Sequence, residues 1–184
     1  SPQFLYLQEN SGRLDAFGIA SRLSYFLWSS MPDEELFTAA RSGKLNDPKE
    51  LDRQVDRMLK DPKAQAFVRH FPSAWLRLDK LGDMPPSGGD YQFYKNLKVE
   101  PMLAKQVTTY FEEILKANGR IEQFIDSDYT YMNQTLAKWI YKREGIRGQR
   151  LRKVKLDDPR RGGIFTQPGL MTATANGVDT SPVV

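Results

Sequence analysis

The chain has 184 residues, a net charge of +4, 40% hydrophobic and 27% charged residues, which is typical of one folded globular domain, or of one domain with a small second lobe. It contains no cysteine, which excludes disulfides, thiolate zinc sites, iron–sulfur clusters and covalently attached haem within these residues. No apolar run reaches the ~20 residues that a membrane span requires, and so small a net charge does not by itself indicate a nucleic-acid partner.

The first thirteen residues read as the end of an element that belongs to something earlier. Phe4–Leu7 is apolar, and Asn10-Ser11-Gly12 is a turn cluster. Ser1-Pro2-Gln3 lacks the basic and apolar regions of a secretory signal, and the chain lacks an initiator methionine. We therefore predict that residues 1–13 close a preceding domain and that the chain is a fragment or a processed product.

Helix-start signals recur through the first half of the chain. Leu14–Ser30 is apolar around most of its circumference, which predicts a buried helix at the centre of the packing. Ser30 is the expected cap of a second helix, and Asp47-Pro48 and Asp61-Pro62 predict the starts of two more, each with proline at the first helical position. Pro72 falls inside the fourth helical pattern, where we expect a kink.

The second half contains a strong helix and then shorter elements. Leu103–Ile114 carries apolar residues on a single stripe, which predicts an amphipathic helix. Short helices are predicted around Ile121–Ile125 and Asn133–Tyr141. Leu151–Leu156 alternates basic and apolar residues, which indicates a short exposed strand. The predicted fold is mainly α, a multi-helix bundle with a short basic strand or extended segment and a turn-rich C-terminal tail. The predicted domains are 14–145, which is helical, and 146–184, which begins an adjoining domain packed on it.

Two groups in the helical part have ordinary structural explanations. His70 is the only histidine, so it cannot form a histidine-based zinc site, and its aromatic neighbours favour a role in helix packing. Glu112 and Glu113 are adjacent on a helix and point ~100° apart, so they do not converge on one substrate as an acid–base pair would. We interpret them as part of a solvated helix face.

Two further segments resemble ligand sites but lack the complete pattern. Asp126-Ser127-Asp128 resembles the start of a calcium loop, but Tyr131 and Ala137 occupy the positions where glycine and glutamate are required, so helix capping is preferred. Between Lys138 and Arg161 there are ten basic and three acidic residues. This run has no nucleic-acid-binding signature, so we do not expect nucleic acid as a partner and interpret it as a basic edge strand.

The C-terminal tail, residues 157–184, is the best candidate for a site. Arginine and glycine together suit anions, because guanidinium groups donate and glycine lets backbone amides converge. The candidate ligand-binding residues are Arg160, Arg161, Gly162, Gly163, Gln167, Asn176, Thr180 and Ser181. The same residues are equally explained by a helix start, a helix C-cap and a polar exit loop. No catalytic residue and no metal ligand is assigned.

Three segments carry a family resemblance. LDAFGIASRLSYFLWSSMPDEEL, DSDYTYMNQTLAKWI and DPRRGGIFTQPGLMTATANGVDTSPVV resemble large multidomain proteins of planctomycetes and some other bacteria that often carry a cytochrome-c-like domain. The chain looks like two adjoining domains of unknown function from such proteins. The resemblance implies that the chain continues in a longer protein, that haem lies on another domain with none bound here, and that the protein is exported to the periplasm or beyond.

The resemblance also raises one question about the tail, because Pro168-Gly169 stands where small helix-compatible residues are expected. This departure argues against a continuous helix over 163–175. The alternative is a shorter helix that begins with Pro168 and is capped by Thr166 or Gln167.

Two functions follow from the sequence. The first is a scaffold or interaction module whose partners are other domains of the parent protein, among them a cytochrome-c-like domain. The alternative is part of a redox-linked or carbohydrate-active enzyme with a polar site built by the tail.

Overall fold

A computed structural model of the chain describes residues 14–86, 89–158 and 160–175. Within these residues there are eight α-helices and one two-stranded sheet, so the predicted mainly α fold is confirmed. The chain divides into two compact units, Ser1–Phe67 and Val68–Val184. The domain boundaries at residues 13 and 145 stay a prediction. No helix in the described ranges is long and apolar enough to cross a membrane.

The first unit consists of helices joined by 3-10 turns. Its helices are α1 (Ala16–Trp28), α2 (Glu34–Arg41) and α3 (Pro48–Lys60), with 3-10 turns at Lys44–Asn46 and Pro62–Ala64 and the beginning of α4 (Gln65–Trp75). The predicted start at Asp47-Pro48 is confirmed: Asp47 accepts a hydrogen bond from the Lys49 amide at 3.0 Å. The predicted Ser30 cap is wrong, because the carboxylate of Asp33 caps α2 instead, accepting from the Leu36 amide at 3.0 Å.

Helix α1 is amphipathic, which corrects the prediction that it is buried on most faces. Its buried stripe consists mainly of small residues, and large aromatic residues on its other faces are about half exposed: Phe17 48%, Tyr25 50% and Phe26 54%. Small residues at Ala16, Ala20 and Ser24 allow close approach of neighbouring backbone. The presence of apolar residues on most faces of this helix therefore does not show that most of its faces are buried.

A tryptophan and an arginine connect the helices of the first unit. The buried Trp28 donates from its indole nitrogen to the Met58 carbonyl at 3.0 Å. Arg57 on α3 binds Asp33 through two hydrogen bonds of 2.6 and 3.0 Å and lies 5.5 Å from the centroid of the Trp28 ring. The Arg57 guanidinium lowers the pKa of Asp33, so this pair stabilises the folded unit above the ordinary aspartate pKa and weakens as the pH falls below it.

The second unit is organised around one long helix. Its helices are the remainder of α4, α5 (Gln92–Leu97), α6 (Glu100–Lys116), α7 (Gln134–Trp139) and α8 (Pro168–Ala173), and its strands are β1 (Tyr129–Met132) and β2 (Arg152–Lys155). The predicted helix over Leu103–Ile114 is confirmed within α6, whose Leu103, Val107, Tyr110 and Ile114 are buried. Pro72 lies inside α4, as predicted.

The predicted solvated face of α6 is wrong at one residue. Glu112 is only 9% exposed, and its carboxylate lies 2.8 Å from the Lys116 ammonium one turn later. Glu113, the neighbouring residue, is exposed. The ion pair with Lys116 compensates part of the cost of burying a carboxylate.

The two strands form an antiparallel ladder with the register Tyr129↔Lys155, Thr130↔Val154, Tyr131↔Lys153 and Met132↔Arg152. The predicted strand at Leu151–Leu156 is confirmed as β2, and three of its four residues are exposed. Strand β1 has no counterpart in the sequence-based prediction. Its burial pattern shows why, since Thr130, Tyr131 and Met132 are all buried and the alternation that reveals a strand is absent.

The final described helix settles the question about the tail. Helix α8 begins at Pro168, with Gln167 at the N-cap position, so the shorter helix is confirmed and a continuous helix over 163–175 is excluded. Gly169 allows α8 to lie close to α6, because a Cβ at this position would meet the Leu103 carbonyl oxygen at 3.0 Å.

Buried tyrosines make the second unit sensitive to alkali. Burial raises the pKa of Tyr94, Tyr110 and Tyr131 to about 12 each, against an ordinary value of about 10. Unfolded chains lose these protons first, so we expect the contribution of the three tyrosines to the stability of this unit to be constant from neutral pH to about pH 10 and to fall from there toward pH 12. Urea unfolding across this range checks the expectation, and Tyr110→Phe should make the fall less steep. A stability that is flat up to pH 12 would contradict it.

Candidate ligand-binding cleft

A cleft of about 360 Å³ opens on the second unit where the end of α7, the end of β2 and the tail meet. Its lining residues are Ile140, Tyr141, Lys142, Arg143, Leu156, Asp157, Asp158 and Arg161. Three of these are basic and two are acidic. Of the predicted site residues that the structure describes, only Arg161 lies in this lining.

The end of α7 places Tyr141 at the cleft. The Leu136 carbonyl accepts from the amides of both Ile140 and Tyr141 at 3.0 Å, and Lys142 then adopts a left-handed conformation with φ 51° that ends the helical path. The Tyr141 hydroxyl accepts a hydrogen bond from the side chain of Gln106 at 2.9 Å. The hydroxyl is therefore anchored from inside the protein, while the residue lines the cleft.

Gln106 is the fully buried residue on α6 that provides this support. Its amide nitrogen also donates to the Tyr131 carbonyl at 2.7 Å and to the Thr130 hydroxyl at 3.2 Å. Burial raises the pKa of Tyr141, so its phenol stays protonated at neutral pH. Tyr141 therefore acts in the cleft as a neutral aromatic surface and not as a base.

Arg161 lies against that surface. Its guanidinium carbon is 5.7 Å from the centroid of the Tyr141 ring, a distance at which a cation is attracted to an aromatic face. Its backbone amide donates to the Asp158 carbonyl at 3.0 Å. In the described part of the chain no carboxylate forms a salt bridge with the side chain of Arg161 or of Lys142.

Both carboxylates of the cleft, in contrast, are engaged by arginine. Asp157 is ion-paired with Arg143, which also donates to the Lys155 carbonyl. Asp158 accepts two hydrogen bonds from the Arg160 side chain at 3.0 and 2.9 Å, and this contact lowers its pKa to about 2. The cleft therefore keeps an excess of positive charge from Lys142 and Arg161.

The two glycines predicted for the site have a packing role. A Cβ on Gly162 would collide with the Ser127 carbonyl oxygen, and a Cβ on Gly163, whose φ is 67°, would collide with the Ile125 carbonyl oxygen. The Gly162 amide donates to the Thr166 hydroxyl at 2.9 Å, and the Gly163 amide donates to the Ser127 hydroxyl at 3.1 Å. These amides are thus already bonded within the protein.

The other predicted residues that the structure describes lie apart from the cleft lining. Gln167 is 1% exposed, and its side-chain amide has no hydrogen-bond partner among the described residues. Arg160 is exposed beside Asp158. Asn176, Thr180 and Ser181 lie outside the described residues.

Ser127 is a connecting residue that the sequence interpretation missed. The predicted capping role of Asp126–Asp128 is wrong, because Asn133 caps α7 by accepting from the Leu136 amide at 2.9 Å. The Ser127 hydroxyl instead lies 2.7 Å from the Tyr110 hydroxyl and accepts from the Gly163 amide at 3.1 Å. It thereby joins α6 to the tail that carries Arg161.

Two further predictions concern His70 and metal binding. His70 is exposed on α4 and does not lie within the core, and its predicted role in helix packing stays a prediction. Among the residues that the structure describes, no group of three histidine, aspartate or glutamate side chains lies close enough together to hold a metal ion.

Comparison with known proteins identifies the family of the chain. The sequence profile of PSD4, described as a protein of unknown function (DUF1592), matches residues 14–141. The match extends from just before α1 to Tyr141 and ends before β2 and Arg161. Neither the comparison with curated proteins nor that with solved structures found a match. With most of its length matched, the chain belongs to the PSD4 family of proteins of unknown function (DUF1592).

Proposed function

We propose that the chain is a helical interaction module of a larger exported bacterial protein that carries a cytochrome-c-like domain, and that its cleft binds an acidic group of a partner domain. The observation that supports this most is the pair of cations, Lys142 and Arg161, which form no salt bridge with any carboxylate of the described residues. The two carboxylates of the cleft are bound by other arginines. The haem of the parent protein lies on another domain.

The chemistry of Arg161 suits a carboxylate. A guanidinium presents parallel N–H donors that match the two oxygens of a carboxylate. The guanidinium carbon lies 5.7 Å from the centroid of the Tyr141 ring, and a cation–aromatic attraction at this distance reduces the side-chain entropy lost on binding. Lys142, on the same lining, adds a second positive charge that attracts the ligand over a longer distance.

A binding experiment with matched variants tests the proposal. We expect the purified chain to bind the separately produced cytochrome-c-like domain, and Arg161→Ala to weaken binding about tenfold or more, as loss of a central charged contact does. Arg69 is an exposed residue of α4 outside the cleft. Arg69→Ala removes the same charge there and should leave the affinity nearly unchanged. Circular dichroism of both variants controls for folding.

Two results would count against the proposal. One is the absence of any association at high micromolar concentration. The other is an equal loss of affinity in Arg161→Ala and Arg69→Ala, which would indicate a general effect of net charge and no defined site.

The alternative of a redox-linked or carbohydrate-active enzyme has less support from the cleft. Hydrolysis of glycosides requires one carboxylic acid that is protonated near neutral pH. Asp158 has a pKa lowered to about 2 by Arg160, and Asp157 is held by Arg143. Asp158 is therefore not suited to donate a proton to a substrate.

A further inference from the structure

The outer edge of β2 is the edge that lies away from β1, and it is a second candidate binding surface beside the cleft. Among residues 14–86, 89–158 and 160–175 the sheet has two strands, so within these ranges β2 is paired along one side only, by β1. The residues Arg152, Lys153 and Lys155 of this strand are exposed. An exposed strand edge presents backbone donors and acceptors on which another strand can form.

The register identifies which backbone groups face outward. The Leu156 amide donates to the Asp128 carbonyl at 2.7 Å, so Asp128–Leu156 is a hydrogen-bonded pair of the antiparallel ladder. In such a ladder hydrogen-bonded and non-bonded pairs alternate. Lys153 and Lys155 are therefore in non-bonded pairs, opposite Tyr131 and Tyr129, and their backbone groups point away from β1.

One of these outward groups already has a partner, and it connects the edge to the cleft. Arg143 donates to the Lys155 carbonyl at 2.5 Å, and Arg143 lines the cleft. For the remaining three groups, the Lys153 amide, the Lys153 carbonyl and the Lys155 amide, no hydrogen bond occurs within the described residues. A chain lying along this edge would reach the cleft at the Lys155 end.

Charge determines the kind of chain that fits. Residues 147–155 contain five basic and no acidic side chains, namely Arg147, Arg150, Arg152, Lys153 and Lys155. Lysine on an edge strand discourages pairing with strands in general. Alternating glutamate or aspartate on the incoming strand converts the same charges into cross-strand ion pairs.

We propose that an extended acidic segment of a partner polypeptide adds to the outer edge of β2 as a third strand. This inference rests on the proposed function of the chain as an interaction module and specifies how the partner is recognised. Backbone hydrogen bonds to Lys153 and Lys155 hold the segment, and side-chain charges select it. Its end enters the cleft, where a carboxylate meets Arg161.

A peptide with blocked ends, eight residues long and alternating glutamate with valine, tests strand addition directly. We expect it to slow hydrogen exchange at the Lys153 and Lys155 amides, read by NMR, and to leave the Val154 amide, which faces β1, unaffected. Two control peptides carry backbone N-methyl groups on one or the other set of alternate residues. One set should abolish the protection because it removes the donors that face β2. Equal protection of both lysine amides by all three peptides would overturn the proposal.

A pair of substitutions separates backbone pairing from charge. Lys153→Pro removes an outward-facing amide, which an edge strand tolerates without losing its inner ladder. Lys153→Thr removes the same charge and keeps the amide. We expect the proline variant to bind the peptide at least about tenfold more weakly than the threonine variant, in line with the loss of a hydrogen bond whose partner is left unpaired. Equal affinities of the two variants would overturn the proposal, provided that the Val154 amide shows that β2 is intact in both.

Two further outcomes distinguish this inference from the proposed function and from another ligand class. If the peptide protects Lys153 but the cytochrome-c-like domain does not bind, strand addition stands and the assigned partner is wrong. If a single-stranded oligonucleotide binds and the acidic peptide does not, the basic residues serve phosphate contacts and strand addition is overturned.

Discussion

Replacing Gly163 by alanine is expected to destabilise the Val68–Val184 unit by about 3 kcal/mol or more. A Cβ at this position would overlap the backbone of Ile125 and Phe124, which cannot move aside as a flexible side chain could. The residue also has a φ of 67°, which adds about 1 kcal/mol of strain for alanine. Urea unfolding of the two proteins measures the difference.

Gly145→Ala is the matched control for this substitution. Gly145 has a φ of 85°, but a Cβ there would meet no atom within 4 Å. Only the conformational cost remains, about 1 kcal/mol. If both substitutions cost the same, the tail does not pack on Ile125 as described, and the position of Arg161 loses its structural basis.

The second large effect is expected at Tyr110. Its ring is fully buried on α6 and lies 5.4 Å from Tyr129 and 6.3 Å from Tyr131 between ring centroids. Tyr110→Ala should therefore cost about 4 kcal/mol, as do other truncations of buried aromatic residues. Urea unfolding again provides the measurement.

Tyr110→Phe isolates the contribution of the hydroxyl. That group donates to the Gln123 carbonyl at 2.6 Å and lies 2.7 Å from the Ser127 hydroxyl. We expect a loss of about 1–2 kcal/mol, and a smaller loss when Ser127 is already alanine, because the two side chains share one network. Additive effects of the two substitutions would show that Tyr110 and Ser127 are not coupled.

Local sequence determined much of the helical architecture, because capping depends on neighbouring residues only. Asp47-Pro48 and Gln167-Pro168 fix helix starts through a preset proline conformation, and both starts are observed. Ser30 failed as a predicted cap because the helix begins later, at Glu34, where the adjacent Asp33 accepts from the Leu36 amide.

The sheet and the burial of individual side chains required tertiary information. Strand β1 is buried at three successive residues, so its sequence lacks the alternation that β2 shows. Glu112 looked solvated from its position beside Glu113, yet its environment is set by the packing of α6. Periodicity reports which face of an element is apolar, and it does not report what covers that face.

The candidate cleft was only partly accessible from sequence. Arg161 stood out because arginine and glycine gather in the tail, but Tyr141 and Arg143 come from a segment about twenty residues earlier. Pairing of β1 with β2 is what brings the two segments together. The one available signal was Tyr141, a tyrosine inside the basic run. Its role in the cleft becomes visible only from its contact with Arg161 in the structure.

Zero-length crosslinking of the proposed full-length protein tests most directly whether this face binds an acidic partner. Carbodiimide joins a lysine to a carboxylate only when the two are in contact, and mass spectrometry identifies the linked residues. We expect Lys142 and Lys153 to be joined to a run of acidic residues in another domain or partner. Crosslinks from these lysines only to carboxylates within this chain, with the partner captured instead by lysines such as Lys60 or Lys116, would contradict the assignment.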